Sequence, residues 1–143
     1  MVPSLNARRI LLDTNIFLLP EQCRIDVFAE IPNLVDVPVS LEVLEGTIRE
    51  LERLASGSRA RTTQKDRLAA KIGLELLQNH LKAKDLKSVA QSPHNVDDAL
   101  CEAARDDPLL IVATADAGLK RRLRRIGTAI IAPRQKKYLI LQE

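Results

Sequence analysis

Two apolar runs in the chain each end on a carboxylate: Ile10-Leu11-Leu12-Asp13 and Leu109-Leu110-Ile111-Val112-Ala113-Thr114-Ala115-Asp116. Continuously apolar runs suit strands covered on both faces, as in a parallel sheet. In such a sheet the ligand crevice lies outside the carboxyl ends of the strands, which is where Asp13 and Asp116 fall. Charge there costs desolvation and mutual repulsion unless a cation or a reaction uses it. The pair therefore points to a metal-dependent site. Each acid also has a plainer reading, as the N-cap or Asx-turn of the helix that follows it.

Further acids sit in two helical patterns. In Val96-Asp97-Asp98-Ala99-Leu100, Asp97 shares a face with Leu100, Cys101 and Ala104, and Asp98 with Cys101, Glu102 and Arg105. Asp97 is thus expected on the inward face. Asp98 is expected on the solvated one, as a helper or as a charge complementing the helix dipole. In Thr47-Ile48-Arg49-Glu50 the spacing reads as a capping box, which would give Glu50 a purely structural task. Glu45, at the end of the preceding strand, is its rival, and spacing alone does not choose between them. Oxygen donors converging at strand ends suit Mg²⁺ or Mn²⁺, hard cations that can activate a water for in-line attack on a phosphodiester.

Competing patterns fail. The five glycines form neither G-x-G-x-x-G nor a Walker A loop. Asp13-Thr14-Asn15 lacks the second aspartate of an aspartyl-phosphate phosphatase. His80 and His94 are isolated, and a lone histidine is more often structural than catalytic, although His94 stands just before Asp97. Cys23 and Cys101 have no His or Cys at ligand spacing, so they read as buried, reduced thiols rather than a zinc site.

These residues need an α/β frame. Strands are expected near residues 9–13, 41–45, 86–90, 109–113 and 128–132, alternating with helices near 25–34, 47–56, 63–84, 97–105 and 118–126. Leu68, Ile72, Leu76 and Leu77 give the long helix over 63–84 one apolar stripe. Ser56-Gly57-Ser58 separates it from the helix before, and Asp106-Asp107-Pro108 ends the helix that carries Asp97. At 143 residues, with no linker or repeat, residues 1–143 are expected to form one domain.

Hydrophobic content of 45% with 29% charged residues is ordinary for a soluble protein. No apolar run is long enough for a membrane span, and Met1 to Asn6 carries no secretory pattern, so a cytoplasmic protein is expected. The net charge of +3 is unevenly spread. Residues 117–137 hold eight basic side chains and no acid, leaving 14 basic against 19 acidic residues elsewhere, a net of −5. Such a segment suits a phosphate-bearing partner, with Lys120, Arg121, Arg122, Arg124 and Arg125 as candidate phosphate contacts. Only Phe17, Phe28 and Tyr138 are aromatic, so base stacking on an aromatic platform is a poor model and contact with the backbone phosphates is the better one.

The motifs together resemble the PIN-domain ribonucleases over nearly the whole chain. The resemblance rests on Leu11-Leu12-Asp13-Thr14-Asn15, Glu50-Leu51-Glu52-Arg53-Leu54, Val96-Asp97-Asp98-Ala99-Leu100 and Ile111-Val112-Ala113-Thr114-Ala115-Asp116, the last continuing to Leu119-Lys120-Arg121-Arg122-Leu123. Within that superfamily the chain looks most like the branch holding the eukaryotic small-subunit rRNA-processing endonuclease and its archaeal relatives. The resemblance implies a three-layer sandwich with five parallel strands in the order 3-2-1-4-5. It also implies an Mg²⁺- or Mn²⁺-dependent acidic site, with Asp13, Glu50, Asp97 and Asp116 at the acidic positions and Thr14, Asn15 and Thr114 supporting them. It favours Glu50 over Glu45. Ala117-Gly118 departs from the polar residues usual after the last acid, and no zinc ribbon succeeds Tyr138-Leu139-Ile140-Leu141.

Metal-dependent endoribonuclease activity on RNA is therefore expected, with Asp13, Asp97 and Asp116 holding metal and Glu50 a ligand or an orienter of the attacking water. Ribosomal RNA maturation is the first role, with ribosome-assembly factors as partners. A VapC-type toxin held by an antitoxin is the second. The resemblance also implies a homodimer. A non-catalytic RNA-binding module on the same fold is the rival from another class, and retention of all four acids argues against it. A phosphoryl-accepting receiver ranks last, because the acid after the first strand is single.

Overall fold

The computed structural model describes residues 7–57, 62–91 and 95–143. Its centre is β1, Arg8–Leu12, flanked by β2, Val39–Leu44, and β4, Ile111–Ala113. Beyond these lie β3, Leu86–Val89, on one side and β5, Ala129–Arg134, on the other. All five are parallel, in the expected order. A sixth strand, β6, Tyr138–Gln142, extends the sheet by running antiparallel to β5, giving the order β3-β2-β1-β4-β5-β6. The five expected parallel strands are all present, and this one strand is added to them. Apolar Tyr138-Leu139-Ile140-Leu141 pairs through a tight turn, a connection open only to an antiparallel neighbour.

Alternation along each strand divides the core. Ile10, Leu12, Leu41, Val43, Ile111, Ala113 and Ile131 face one layer of helices, whereas Leu11, Leu44, Val112, Ile130 and Ala132 face the other. The first layer comprises α1, Leu19–Gln22; α2, Val27–Asn33; α3, Glu45–Ser56; and α4, Gln64–Ala83. The second comprises α5, Val96–Asp106, and α6, Ala117–Ile126. Burial on both faces explains why the strand sequences are continuously apolar.

Several local expectations change. The chain after β1 forms a 3-10 turn, Thr14–Leu18, that runs into α1, where no helix is expected from the sequence. The long helix buries Ala69, Ala70, Gly73 and Leu77, and leaves Leu68 49% exposed. Its inner stripe therefore uses small residues in place of Leu68. The reason is close approach: a Cβ on Gly73 would collide with the Phe17 carbonyl, so α4 lies directly on the 3-10 turn. Cys101 is buried as expected, Cys23 is half-buried, and both thiols are free. His94 and Ser58 lie outside the described residues. No helix among the described residues is long and apolar enough to cross a membrane.

The Thr47 capping box is absent. α3 starts two residues earlier, at Glu45, with Leu44 at the N-cap, and Thr47 is fully buried with Oγ1 unpartnered. Gln91 instead satisfies the helix start, its Oε1 accepting from Gly46 N–H at 2.9 Å. Replacing a buried, unbonded hydroxyl by an isosteric methyl removes a desolvation cost. Thr47→Val should therefore raise the unfolding free energy by about 1 kcal/mol in denaturant titration, whereas loss of a capping box would lower it by about 1 kcal/mol.

Candidate functional site

Asp13 comes directly after β1 and is only 4% exposed. Its backbone N–H donates to Ala113 C=O at 2.9 Å, which continues the β1–β4 ladder one step past the strands. Three donors converge on its carboxylate. Thr14 N–H reaches Oδ1 at 2.8 Å, while the Thr114 hydroxyl at 2.7 Å and the Asn15 amide at 3.1 Å reach Oδ2. Asn15 is itself fixed, since its Oδ1 accepts from Ala115 N–H at 2.8 Å. Thr14, Asn15 and Thr114 thus form a bonded shell around the first acid. Burial pushes the Asp13 carboxyl up from its ordinary value, against the pull of the Thr114 and Thr14 bonds, and the charge of Asp97 pushes the same way.

Asp116 caps α6 through Leu119 N–H, at 2.6 Å on Oδ2, and its own N–H donates to Thr114 Oγ1 at 3.0 Å. Both strand-end aspartates therefore fill the plainer N-cap role and face the cleft as well. Gly118 lets α6 begin tightly here: a Cβ there would stand 3.3 Å from Asp116 Oδ2. Asp97 lies in the first turn of α5 and Glu50 in the second turn of α3. All four acids line one open cleft of about 580 Å³ at the carboxyl ends of the strands. Glu45 is exposed and does not line it. Asp97 is held above its ordinary value by desolvation first, then by the charge of Asp116, with Arg122 opposing and Asp98 and Glu50 adding to the rise.

The relative exposure of Asp97 and Asp98 is the reverse of expectation. Asp97 is exposed because it faces an open cleft, and Asp98 is half-buried because α6 packs over it. Arg122 bonds Asp98 Oδ1 at 2.8 Å and so ties α6 to α5. The five basic residues of α6 also separate. Lys120 and Arg121 stand in the turn nearest Asp116, whereas Arg124 bonds Gln142 at 3.2 Å and Arg125 comes next, both toward the other end of the helix. Sequence reasoning passed over Arg49 and Arg53, which line the cleft from the helix that carries Glu50. Arg53 pairs with Glu50 at 3.1 Å. Helical spacing around Glu50 was the available signal. His80 is far from this chemistry; it stacks on Phe28 with centroids 3.7 Å apart and meets Asp85 at 2.9 Å.

Among the described residues no three acids, histidines or cysteines are drawn together into a preformed metal-binding group. The donor set nevertheless fits a hydrated hard cation. Mg²⁺ keeps several waters and takes one or two protein carboxylates, and here Asp13 and Asp116 keep lone pairs beyond those spent on their capping bonds. Mutual repulsion among the acids, seen in the raised Asp97 carboxyl, is what a cation would relieve.

A raised carboxyl in the folded protein means that the folded state holds the proton more tightly than the unfolded chain. Ionised Asp97 therefore costs stability at neutral pH, and the cost vanishes as pH falls below the unfolded value of about 4. In chelator, Asp97→Asn should melt above the parent at pH 7, with the two curves merging near about pH 3; a variant melting below the parent at pH 7 would contradict this electrostatic account.

Comparison with known proteins gives three findings. The profile of the family described as "PIN like domain" matches residues 10–136. A protein named Ribonuclease VapC4, from Methanocaldococcus jannaschii, is 28% identical over 130 residues, which cover 91% of this chain and 93% of that protein. Among solved structures, "Structure of the PIN domain endonuclease Utp24" superposes with a TM-score of 0.69 at 21% identity, covering 94% of this chain and 90% of that one. The last of these establishes likeness of fold.

Proposed function

The chain belongs to the PIN-like domain family, and from that premise we propose that it is a metal-dependent endoribonuclease. The observation that carries this reading is the meeting of Asp13, Glu50, Asp97 and Asp116 on one cleft, held by elements from both helical layers. The name borne by the relative from Methanocaldococcus jannaschii supports RNA as the substrate.

Mg²⁺ or Mn²⁺, when bound, would make a water acidic enough to attack phosphorus and offset charge growing on the phosphate oxygens. Asp13 and Asp116 would hold it, joined by Asp97. The three bonds to Asp13 and the Leu119 bond to Asp116 fix both carboxylates before substrate arrives, so little reorganisation is needed on binding. Glu50, facing the cleft from the helical layer opposite Asp97, would orient the water. Asp98 acts through Arg122 and the α5–α6 packing. Arg49 and Arg53 from α3, with Lys120 and Arg121 from α6, face the phosphates on either side. Arg122, Arg124 and Arg125 would contribute mainly to the surrounding positive field.

Two roles share this chemistry. Ribosomal RNA maturation, with assembly factors as partners, is the role that the resemblance to the rRNA-processing branch favours. A toxin held by an antitoxin is favoured by a relative carrying the VapC name along nearly its full length. A homodimer in the cytoplasm accords with either role.

The test is cleavage of structured and unstructured RNA in Mn²⁺. Asp13→Asn and Asp116→Asn should each lower the rate by about a hundredfold or more, with the fold retained in far-UV circular dichroism. Cleavage surviving both changes would remove the nuclease reading, and RNA binding that persists in chelator without any cleavage would favour a binding module. Induced expression in a bacterial host separates the roles. Growth arrest that Asp116→Asn abolishes is expected of the toxin, and unaffected growth is expected of the processing enzyme.

A further inference from the structure

β5 runs three residues beyond Ile131, which pairs with Ala113 at the end of β4. At the usual strand rise this overhang is about 10 Å, and it stands at the same edge of the sheet as Asp13 and Asp116. The chain then turns through Arg134–Lys137, closed by Lys137 N–H on Arg134 C=O at 3.1 Å, and returns as β6. Residues 134–138 are all exposed. Arg134, Lys136 and Lys137 have no acidic partner within ion-pair distance among the described residues.

The backbone of this turn is costly. Gln135 and Lys136 both take left-handed conformations, at φ 54° and 55°. Hairpin turns of that shape ordinarily use Asn-Gly, which adopts it without strain. The turn keeps long polar side chains where Asn-Gly would be unstrained, and so sets three cations at its tip. Tyr138, opposite Arg134 in the β5–β6 pairing, adds an aromatic ring that is 41% exposed. Cations on a narrow tip beside an open ring suit a strand whose bases are unstacked, since a duplex hides its base faces.

We propose that the β5–β6 hairpin is an arm that holds single-stranded RNA beside the cleft, with Arg134, Lys136 and Lys137 on its phosphates and Tyr138 stacked on a base. This rests on the nuclease reading for the identity of the ligand. It adds a contact region outside the cleft and a preference for unpaired substrate.

The test uses the full chain carrying Asp116→Asn, in chelator, so that binding is read without cleavage. The probes are a labelled 20-nucleotide single-stranded RNA and a duplex of the same length, followed by fluorescence anisotropy across a salt series. Arg134→Gln/Lys136→Gln/Lys137→Gln should weaken single-strand binding about tenfold or more and lower the salt slope by about 2, at ~0.7 per phosphate contact. Lys82→Gln/Lys84→Gln/Lys87→Gln removes equal charge near the opposite edge of β3 and should shift affinity less than about twofold. Tyr138→Leu should weaken single-strand binding about fivefold or more and leave the duplex unchanged. Gln135→Asn/Lys136→Gly should raise the melting temperature while lowering the slope by about 0.7, which separates charge from folding.

Single-strand affinity unmoved by the triple change, or reduced equally by the charge-matched control, would overturn the arm. Equal loss on duplex and single strand with Tyr138→Leu would overturn the stacking. Should the native chain fail to cleave RNA in Mn²⁺ while binding still depends on the hairpin, the nuclease reading falls and the arm stands.

Discussion

The hydroxyl of Thr114 carries the rest of the site. It donates to Asp13 at 2.7 Å and accepts from Asp116 N–H at 3.0 Å, so one buried oxygen sets the position of both strand-end acids. Asp13 lies inside the protein, where an ionised carboxylate is tolerated only with donors around it. The threonine can play this part because β1 and β4 are neighbours in register, with Leu12 opposite Ala113. Sheet order therefore comes first, and the chemistry depends on it.

Around that bond the cleft is assembled from two separately packed layers. Asp13 and Glu50 belong to the side built by the 3-10 turn, α3 and α4, and the contact of Gly73 with Phe17 locks that side together. Asp97 and Asp116 belong to α5 and α6, which Arg122 and Asp98 tie to each other. Gln91 adds a stitch to the start of α3. Each layer supplies two of the four acids that line the cleft.

Strand ends were the most legible part of the chain, because a strand buried on both faces leaves an unbroken apolar run with a polar residue at its stop. Asp13 and Asp116 stood out for that reason. Helix starts were less legible. Thr47 and Glu50 have capping-box spacing, yet the N-cap falls at Leu44, where the strand passes directly into the helix. Periodicity also marks the core-facing side of α5 but not which exposed side another helix will cover, and so the exposures of Asp97 and Asp98 came out reversed. β6 was missed because its apolar residues alone do not announce an antiparallel partner. Arg49 and Arg53 could be placed only once α3 was known to border the cleft.

The antiparallel return of β6 has a consequence for the path of the chain. It carries the backbone away from the edge that bears the acids to the amino-terminal edge of the sheet, where the Glu143 side chain bonds Arg8 at 2.9 Å. The first and last strands of the described fold thus have their outer ends on the side of the sheet remote from the acids, with β4 and β5 between them. A linker spanning about 14 Å, the three strand spacings between β6 and β1, would close the described fold into a ring. The chain could then be reopened at a surface connection on that same side, such as the one between α4 and β3, giving a circular permutant whose strand order and cleft are those of the natural chain.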